Sequence, residues 1–102
     1  MAEPINLKDF IEYSPGSVVS KTLKQNSAGT ITLFAFDSGQ ELSEHSAPFD
    51  AVVHVIEGEG SFLIGGEEHN LKDGELIIMP ANVPHAVKAV QKFKMLLTML
   101  RA

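Results

Sequence analysis

Short runs of apolar residues alternate with turn-forming residues along most of this chain. The turn-forming stretches fall at 24–29, 37–39, 58–60, 65–66 and Pro80. The runs between them are rich in Val, Ile, Leu and Phe, as β-strands are: 17–23, 30–36, 51–57, 61–64, 75–79, 85–90 and 93–100. Strands that return every eight to twelve residues or so, without a long helical period, are typical of all-β sandwiches and barrels. The pattern therefore predicts an all-β fold.

The amino-terminal residues 5–13 do not fit this pattern clearly. Ile5, Phe10 and Ile11 lie at mixed spacing, which is compatible with a short strand or with one helical turn. The sequence Ser14-Pro15-Gly16 then interrupts the chain. The pattern leaves the structure of this segment open.

Two of the candidate strands are apolar on both faces. In 30–36, Ile31 and Leu33 share one face while Phe34 and Phe36 share the other, and 93–100 is similarly two-faced. A strand with one solvated face should alternate apolar with polar residues. We therefore expect a second cover for these strands. A second copy of the chain, forming a homodimer, is the favoured candidate; the alternative is that the amino-terminal segment folds back over them.

Length and composition limit the functional classes. The 102 residues fit a single domain, 1–102, and the net charge is −5, from 13 acidic and 8 basic residues with no basic cluster. We therefore expect no nucleic-acid partner. There is no cysteine, and no apolar run approaches the roughly 20 residues of a membrane span. The beginning, MAEPINLKDF, lacks a basic and then apolar leader, so we expect a soluble, cytoplasmic protein without a membrane partner.

Two motifs carry the candidate chemistry. In the first, five residues separate Gly39 from His45, and Gly58 follows further on. In the second, five residues separate Gly74 from Pro80, and Asn82 and then His85 follow. Together, and in this order, they resemble the two sequence motifs of the cupin superfamily, with Asn82 at a glycine position. Asparagine and glycine both tolerate a positive φ, so the exchange keeps the turn chemistry.

The resemblance implies a jelly-roll barrel, an antiparallel double-stranded β-helix. It also implies His45 and His85 as ligands of a divalent transition metal such as Ni, Zn, Fe, Mn or Cu. The sequence departs from the family where a second histidine and a glutamate would stand, because Ala47 and Ala51 occupy those positions. Two imidazoles hold a metal weakly without further donors, and whether a metal is bound is left open.

Four further residues carry side chains of the kind that bind metals. Glu41 shares the strand parity of His45, and Asp50 lies where a loop is expected to turn, so both are weaker metal candidates. His54 has the opposite parity to Ala51 and is expected to face away from the cavity. His69, in a polar stretch, is expected on a solvated hairpin.

Two functions follow from these observations. The first is binding of a small molecule in a largely apolar cavity, where the two histidines offer hydrogen bonds. The alternative is a metal-dependent enzyme of the oxygenase or isomerase type acting on a small organic substrate. No catalytic residue is assigned, and the choice between binding protein and enzyme is open, because one fold hosts many chemistries.

Overall fold

The computed structural model describes residues 2–101, and its regular structure consists of β-strands. The strands are β1 (Val18–Asn26), β2 (Gly29–Phe36), β3 (Glu41–His45), β4 (Phe49–Ile64), β5 (Glu67–Lys72), β6 (Leu76–Met79), β7 (His85–Lys88) and β8 (Phe93–Arg101). Among these residues, no helix has the length and apolar character needed to cross a membrane. The predicted all-β class is confirmed.

The strands form one curled antiparallel sheet with two layers. In the first layer the order is β1-β2-β8-β4-β6, and in the second it is β3-β7-β4-β5. Strand β4 belongs to both: its first half pairs with β8 and β6, and its second half, from Glu59, pairs with β5 and β7. We call these layers the first sheet and the second sheet. The arrangement is the double-stranded β-helix that the two motifs imply.

The sequence prediction of a turn at 58–60 was wrong. Strand β4 continues through these residues as it crosses from the first sheet to the second. The register with β8 shifts between Val55 and Glu57, and Gly58 has a φ of 83°. A β-bulge followed by a positive φ bends a strand without ending it. A Cβ at Gly58 would lie 2.3 Å from the backbone oxygen of Lys92, so this corner also requires glycine for space. The hydrophobic pattern did not predict strands β3 and β5, because both are short and largely polar.

The barrel core lies between the two sheets and is densest at one end. Phe36 and Phe93 stack with ring centroids 4.6 Å apart, and Phe62 meets Phe93 edge-on at 6.0 Å. All three rings are fully buried. This aromatic cluster fills one end of the barrel.

The segment that the sequence left open is neither strand nor helix. Residues 7–13, which we call the N-terminal strap, run in turns and extended backbone across the outer face of the first sheet. Ile11 is only 1% exposed and packs with Leu33, Ala35 and Ile56. The amino-terminal segment therefore folds back over this part of the sheet, which was the alternative to a cover formed by a second copy of the chain.

A polar cluster fastens the strap to the sheet. The Tyr13 hydroxyl donates to Glu57 Oε2 at 2.7 Å, and the buried Lys94 ammonium lies 3.7 Å from the same oxygen. Lys94 also donates to the Lys8 carbonyl at 2.5 Å. Burial, followed by the hydrogen bond to Glu57 and that residue's charge, raises the pKa of Tyr13 well above its ordinary value. The strap is thus held by both apolar packing and charge-assisted hydrogen bonds.

Candidate functional site

His45 and His85 lie side by side on the inner face of the second sheet. They are direct register partners across β3 and β7, and their ring centroids are 4.4 Å apart with the planes inclined by 70°. Val87, two residues beyond His85, is buried in the barrel core, which identifies this face as the inner one. The expectation that strands about forty residues apart bring the two histidines together therefore agrees with the geometry.

Local backbone carbonyls orient both imidazoles. His45 Nδ1 lies 2.8 Å from the Ser43 carbonyl oxygen, and His85 Nδ1 lies 3.1 Å from the Val83 carbonyl oxygen. A carbonyl oxygen only accepts, so each Nδ1 is assigned the proton and donates it. In the neutral rings both Nε2 atoms then carry a free lone pair. Such an atom can bind a transition metal or accept a hydrogen bond from a ligand.

The two histidines differ in exposure, and the burial of His85 shifts its pKa. His85 is 6% exposed, whereas His45 is an exposed residue. Burial lowers the pKa of His85; the Val83 carbonyl raises it, and the adjacent His45 lowers it. Because the net direction is downward from 6.5, His85 is mostly neutral at pH 7 and retains its Nε2 lone pair.

The barrel is open at the histidine end. Along the inner face of β8, Phe93 and Met95 are buried, whereas Leu97 and Met99 are half-buried. Ile64, which is the register partner of His85, is likewise half-buried. These inward-facing apolar side chains retain solvent contact, unlike those beside the aromatic cluster. The result is a partly apolar mouth with two imidazoles on its rim.

Ala47 and Ala51 belong to this end as well. Ala51 is buried in the core cluster and pairs with Met99 on β8. The Ala47 carbonyl accepts the backbone N–H of Asn82 at 2.8 Å, which ties the connection between β3 and β4 to the turn before His85. Asn82 has a φ of 65°, so it adopts the left-handed conformation expected of its glycine-like position. The alanines contribute space and backbone contacts, and they contribute no donor side chain.

Glu41 does not join the histidines, because strand β3 contains an irregularity. The register with β7 shifts between Leu42 and His45, which turns Leu42 and His45 to the same face although they are three residues apart. Glu41 pairs with Lys88 and lines a groove on the outer face of the second sheet. Strand alternation without a bulge had suggested the opposite orientation, and that expectation was wrong.

The other candidate ligands are also placed elsewhere. Asp50 Oδ1 accepts the Ala81 backbone N–H at 2.9 Å, so this carboxylate supports the loop that leads to His85. His54 pairs with Leu76 and Leu96 on the face opposite to that of Ala51, as strand parity predicts. His69 lies on β5, with Nε2 3.6 Å from Glu67 Oε1. Within residues 2–101, no three His, Cys, Asp or Glu side chains are grouped closely enough to hold a metal ion.

Some features of the site were not visible in the sequence. The bulge at Ser43 and Glu44, which sets the direction of His45, has no glycine or proline to mark it. The orienting groups, the Ser43 and Val83 carbonyls, belong to the backbone and have no residue-type signal. Among the groups that position the two histidines, Asn82 could be recognised from the sequence, because it stands where a turn needs a positive φ.

The comparisons with known proteins agree with this architecture. A family model described as a cupin domain matches residues 32–100, which is more than half of the chain. The chain therefore belongs to the cupin family. A search of curated proteins found no match.

Solved structures extend the similarity over the whole chain. A conserved protein of unknown function from Streptococcus pyogenes is 35% identical with a TM-score of 0.94, over 100% of this chain and 90% of that one. A cupin superfamily protein from Desulfitobacterium hafniense is 27% identical with a TM-score of 0.93, over 100% and 94%. A cupin 2 conserved barrel domain protein from Leptotrichia buccalis is 40% identical with a TM-score of 0.91 over 94% of this chain. In that last case the match spans only 47% of the other chain.

Proposed function

We propose that this protein binds a small molecule at the open end of the barrel, where the ligand contacts the His45–His85 pair. The observation that supports this most directly is the matched orientation of the two imidazoles. Each Nδ1 is engaged by a backbone carbonyl, and each Nε2 remains free for a ligand. Small-molecule sites combine an apolar surface with a few fixed polar groups. Ile64, Leu97 and Met99 provide such a surface beside the pair.

A divalent transition ion fits the same two atoms as a co-ligand. His45 and His85 would hold it through Nε2, with the carbonyls of Ser43 and Val83 orienting the rings from behind. Such an ion would act as a Lewis acid towards a bound oxygen-containing ligand. Since the described residues offer no third side chain, water or the ligand itself would complete the coordination shell. Affinity for the free ion is therefore expected to be modest.

The enzymatic alternative requires the same ion and a substrate that chelates it. The family membership makes metal-dependent oxygenase or isomerase chemistry a reasonable second candidate, and the free Nε2 pair is the observation in its favour. The protein groups that would take part are the two imidazoles. His85 is mostly neutral at pH 7 and would hold no proton at Nε2 to donate. A binding role requires neither the ion nor a chelating substrate, and we therefore favour it over the enzymatic alternative.

Titration calorimetry with Ni²⁺ tests the site. We expect micromolar binding to the wild type, and none to a double variant carrying His45→Ala and His85→Ala. The matched control carries His54→Ala and His69→Ala, which removes the other two histidines and should leave binding unchanged. Unchanged affinity in the first variant would show that the ion binds elsewhere.

The same titration also tests the donor count. Nanomolar affinity in the wild type would show that a further side chain joins the two imidazoles, contrary to the geometry. Asp50→Asn and Glu41→Gln would then identify the extra donor. A thermal-shift screen of small organic acids and alcohols, with and without Ni²⁺, should find stabilising ligands that the His45/His85 variant does not respond to.

A further inference from the structure

One row of register partners crosses all four strands of the second sheet and contains both histidines of the proposed site. His45 on β3 pairs with His85 on β7, and His85 pairs in turn with Ile64 on β4. Ile64 also pairs with Glu67 on β5. Direct partners in an antiparallel sheet project from the same face. Glu67 therefore stands in the row of the two histidines, at the opposite edge of the sheet.

The alternation of side chains along β5 independently places Glu67 on the inner face. Leu71 is buried in the barrel core, and His69 and Glu67 follow it at every second position towards the start of the strand. His69 pairs with Phe62, which is fully buried in the same core. His69 Nε2 lies 3.6 Å from Glu67 Oε1. We call these two side chains the β5 pair, and they form a second polar group on the inner face of this sheet.

The neighbouring carboxylate, Glu68, belongs to the other face. It pairs with Leu63 and lines the groove on the outer side of the second sheet together with Glu41 and Lys88. Glu67 and Glu68 thus carry the same charge at adjacent positions of one strand but face opposite sides of it. A comparison of the two separates the effect of the inner face from that of the net charge.

The two ends of the row attract hydrogen-bond donors. In the neutral rings of His45 and His85 each Nε2 carries a free lone pair, and the Glu67 carboxylate accepts hydrogen bonds and is negatively charged. Strands lie about 4.8 Å apart, so Glu67 stands about 10 Å along the row from His85. The half-buried Ile64 lies between them. A ligand that satisfies both ends carries a donor at each, separated by an apolar part.

We infer that the ligand of this site is a small amino alcohol, with a hydroxyl group at one end and a cationic amino group at the other. The hydroxyl group donates to a free Nε2 of the histidine pair, and the ammonium group binds Glu67. The aliphatic part lies along Ile64. The net charge of −5 favours a cation over an anion as it approaches the mouth. The inference rests on the proposed function and deepens it, because it names the class of ligand.

Titrations followed in long-range ¹H–¹⁵N spectra of the histidines test this, with ω-aminohexanol and α,ω-hexanediol as probes. Both probes carry a donor at each end of the same aliphatic chain, and only the first is charged. The aminohexanol should bind about threefold to fivefold more tightly, which is the gain expected from an ion pair with a carboxylate that is 81% exposed. It should shift the signals of His45, His85 and His69, and leave those of His54 in place.

The variant is Glu67→Gln and the matched control is Glu68→Gln, which changes the net charge by the same amount. Both side chains are exposed, so both variants should fold as the wild type does, and circular dichroism checks this. Glu67→Gln should make the two probes bind equally, because the ammonium group then has no anionic partner. Glu68→Gln should keep the preference for the amine.

Three results would overturn the inference. The first is equal binding of both probes to the wild type, or no binding of either at millimolar concentration. The second is an equal loss of preference in Glu67→Gln and Glu68→Gln, which would assign it to the net charge alone. In both cases the proposed function still stands if the His45–His85 pair binds Ni²⁺. The third is a shift of His69 without His45 and His85, which would contradict the proposed ligand site as well.

Discussion

Replacing Ile11 by Ala tests how firmly the N-terminal strap belongs to the fold. Ile11 is 1% exposed and packs with Leu33, Ala35 and Ile56, three residues of the sheet beneath it. Truncating a buried isoleucine to alanine removes apolar contacts and leaves a cavity, at a cost of about 2–5 kcal/mol. Domains of this size are stable by only about 5–15 kcal/mol. The substitution should therefore remove a large share of the stability.

Urea unfolding measures this loss, with Phe10→Ala as the control. Phe10 adjoins Ile11 in the chain but is 41% exposed, so its truncation should cost less than about 1 kcal/mol. If Ile11→Ala also detaches the strap from the native state, the m-value should fall, because less surface remains to be exposed on unfolding. A loss below about 0.5 kcal/mol, equal to that of Phe10→Ala, would refute the reasoning. The strap would then be a loose appendage, and the cover of this part of the sheet would have to come from elsewhere.

Three further predictions concern single side chains. Glu57→Gln deprives the buried Lys94 of its anionic partner and should lower the free energy of unfolding by about 1–3 kcal/mol, whereas Glu59→Gln should change little in the same urea experiment. Asn82→Gly should be tolerated, whereas Asn82→Val should lower stability by about 1–2 kcal/mol, because a branched residue resists the φ of 65°. The pKa of His85 is lower in the folded than in the unfolded protein, so between these values the unfolded chain binds more protons. Stability of the metal-free protein should therefore fall as the pH drops below about 6.5, and His85→Gln should reduce this dependence in a series of Tm measurements; an equal slope in both proteins would contradict it.

Much of the fold was predictable because its signals are local. Apolar runs bounded by turn residues marked most of the strands. The resemblance of the motifs around Gly39, His45, Gly74 and His85 to those of the cupin superfamily implied that both histidines belong to one barrel. The error at 58–60 has a physical cause. The sequence Gly-Glu-Gly is compatible with a turn or with a bent strand, and only the pairing of β4 with both sheets decides between them.

The site was less predictable than the fold, because it depends on register. Regular strand alternation places Glu41 on the same face as His45, but the bulge between Leu42 and His45 reverses the alternation. One extra residue in a strand turns every side chain beyond it to the other face, and no composition rule marks where it occurs. For a similar reason, the sequence did not decide which segment packs on the strands that are apolar on both faces. It depends on where residues 7–13 pack after the chain has folded.

The most direct test of the central claim is a long-range ¹H–¹⁵N spectrum of the four histidines, recorded while Zn²⁺ is added. Before addition, His45 and His85 should both show a protonated Nδ1 and an unprotonated Nε2, as the carbonyls of Ser43 and Val83 require. During the titration the Nε2 signals of these two rings should shift together, while those of His54 and His69 stay in place. If Zn²⁺ shifts His54 or His69 instead, or if His45 and His85 carry their protons on Nε2, the pair at the mouth of the barrel is not the binding site.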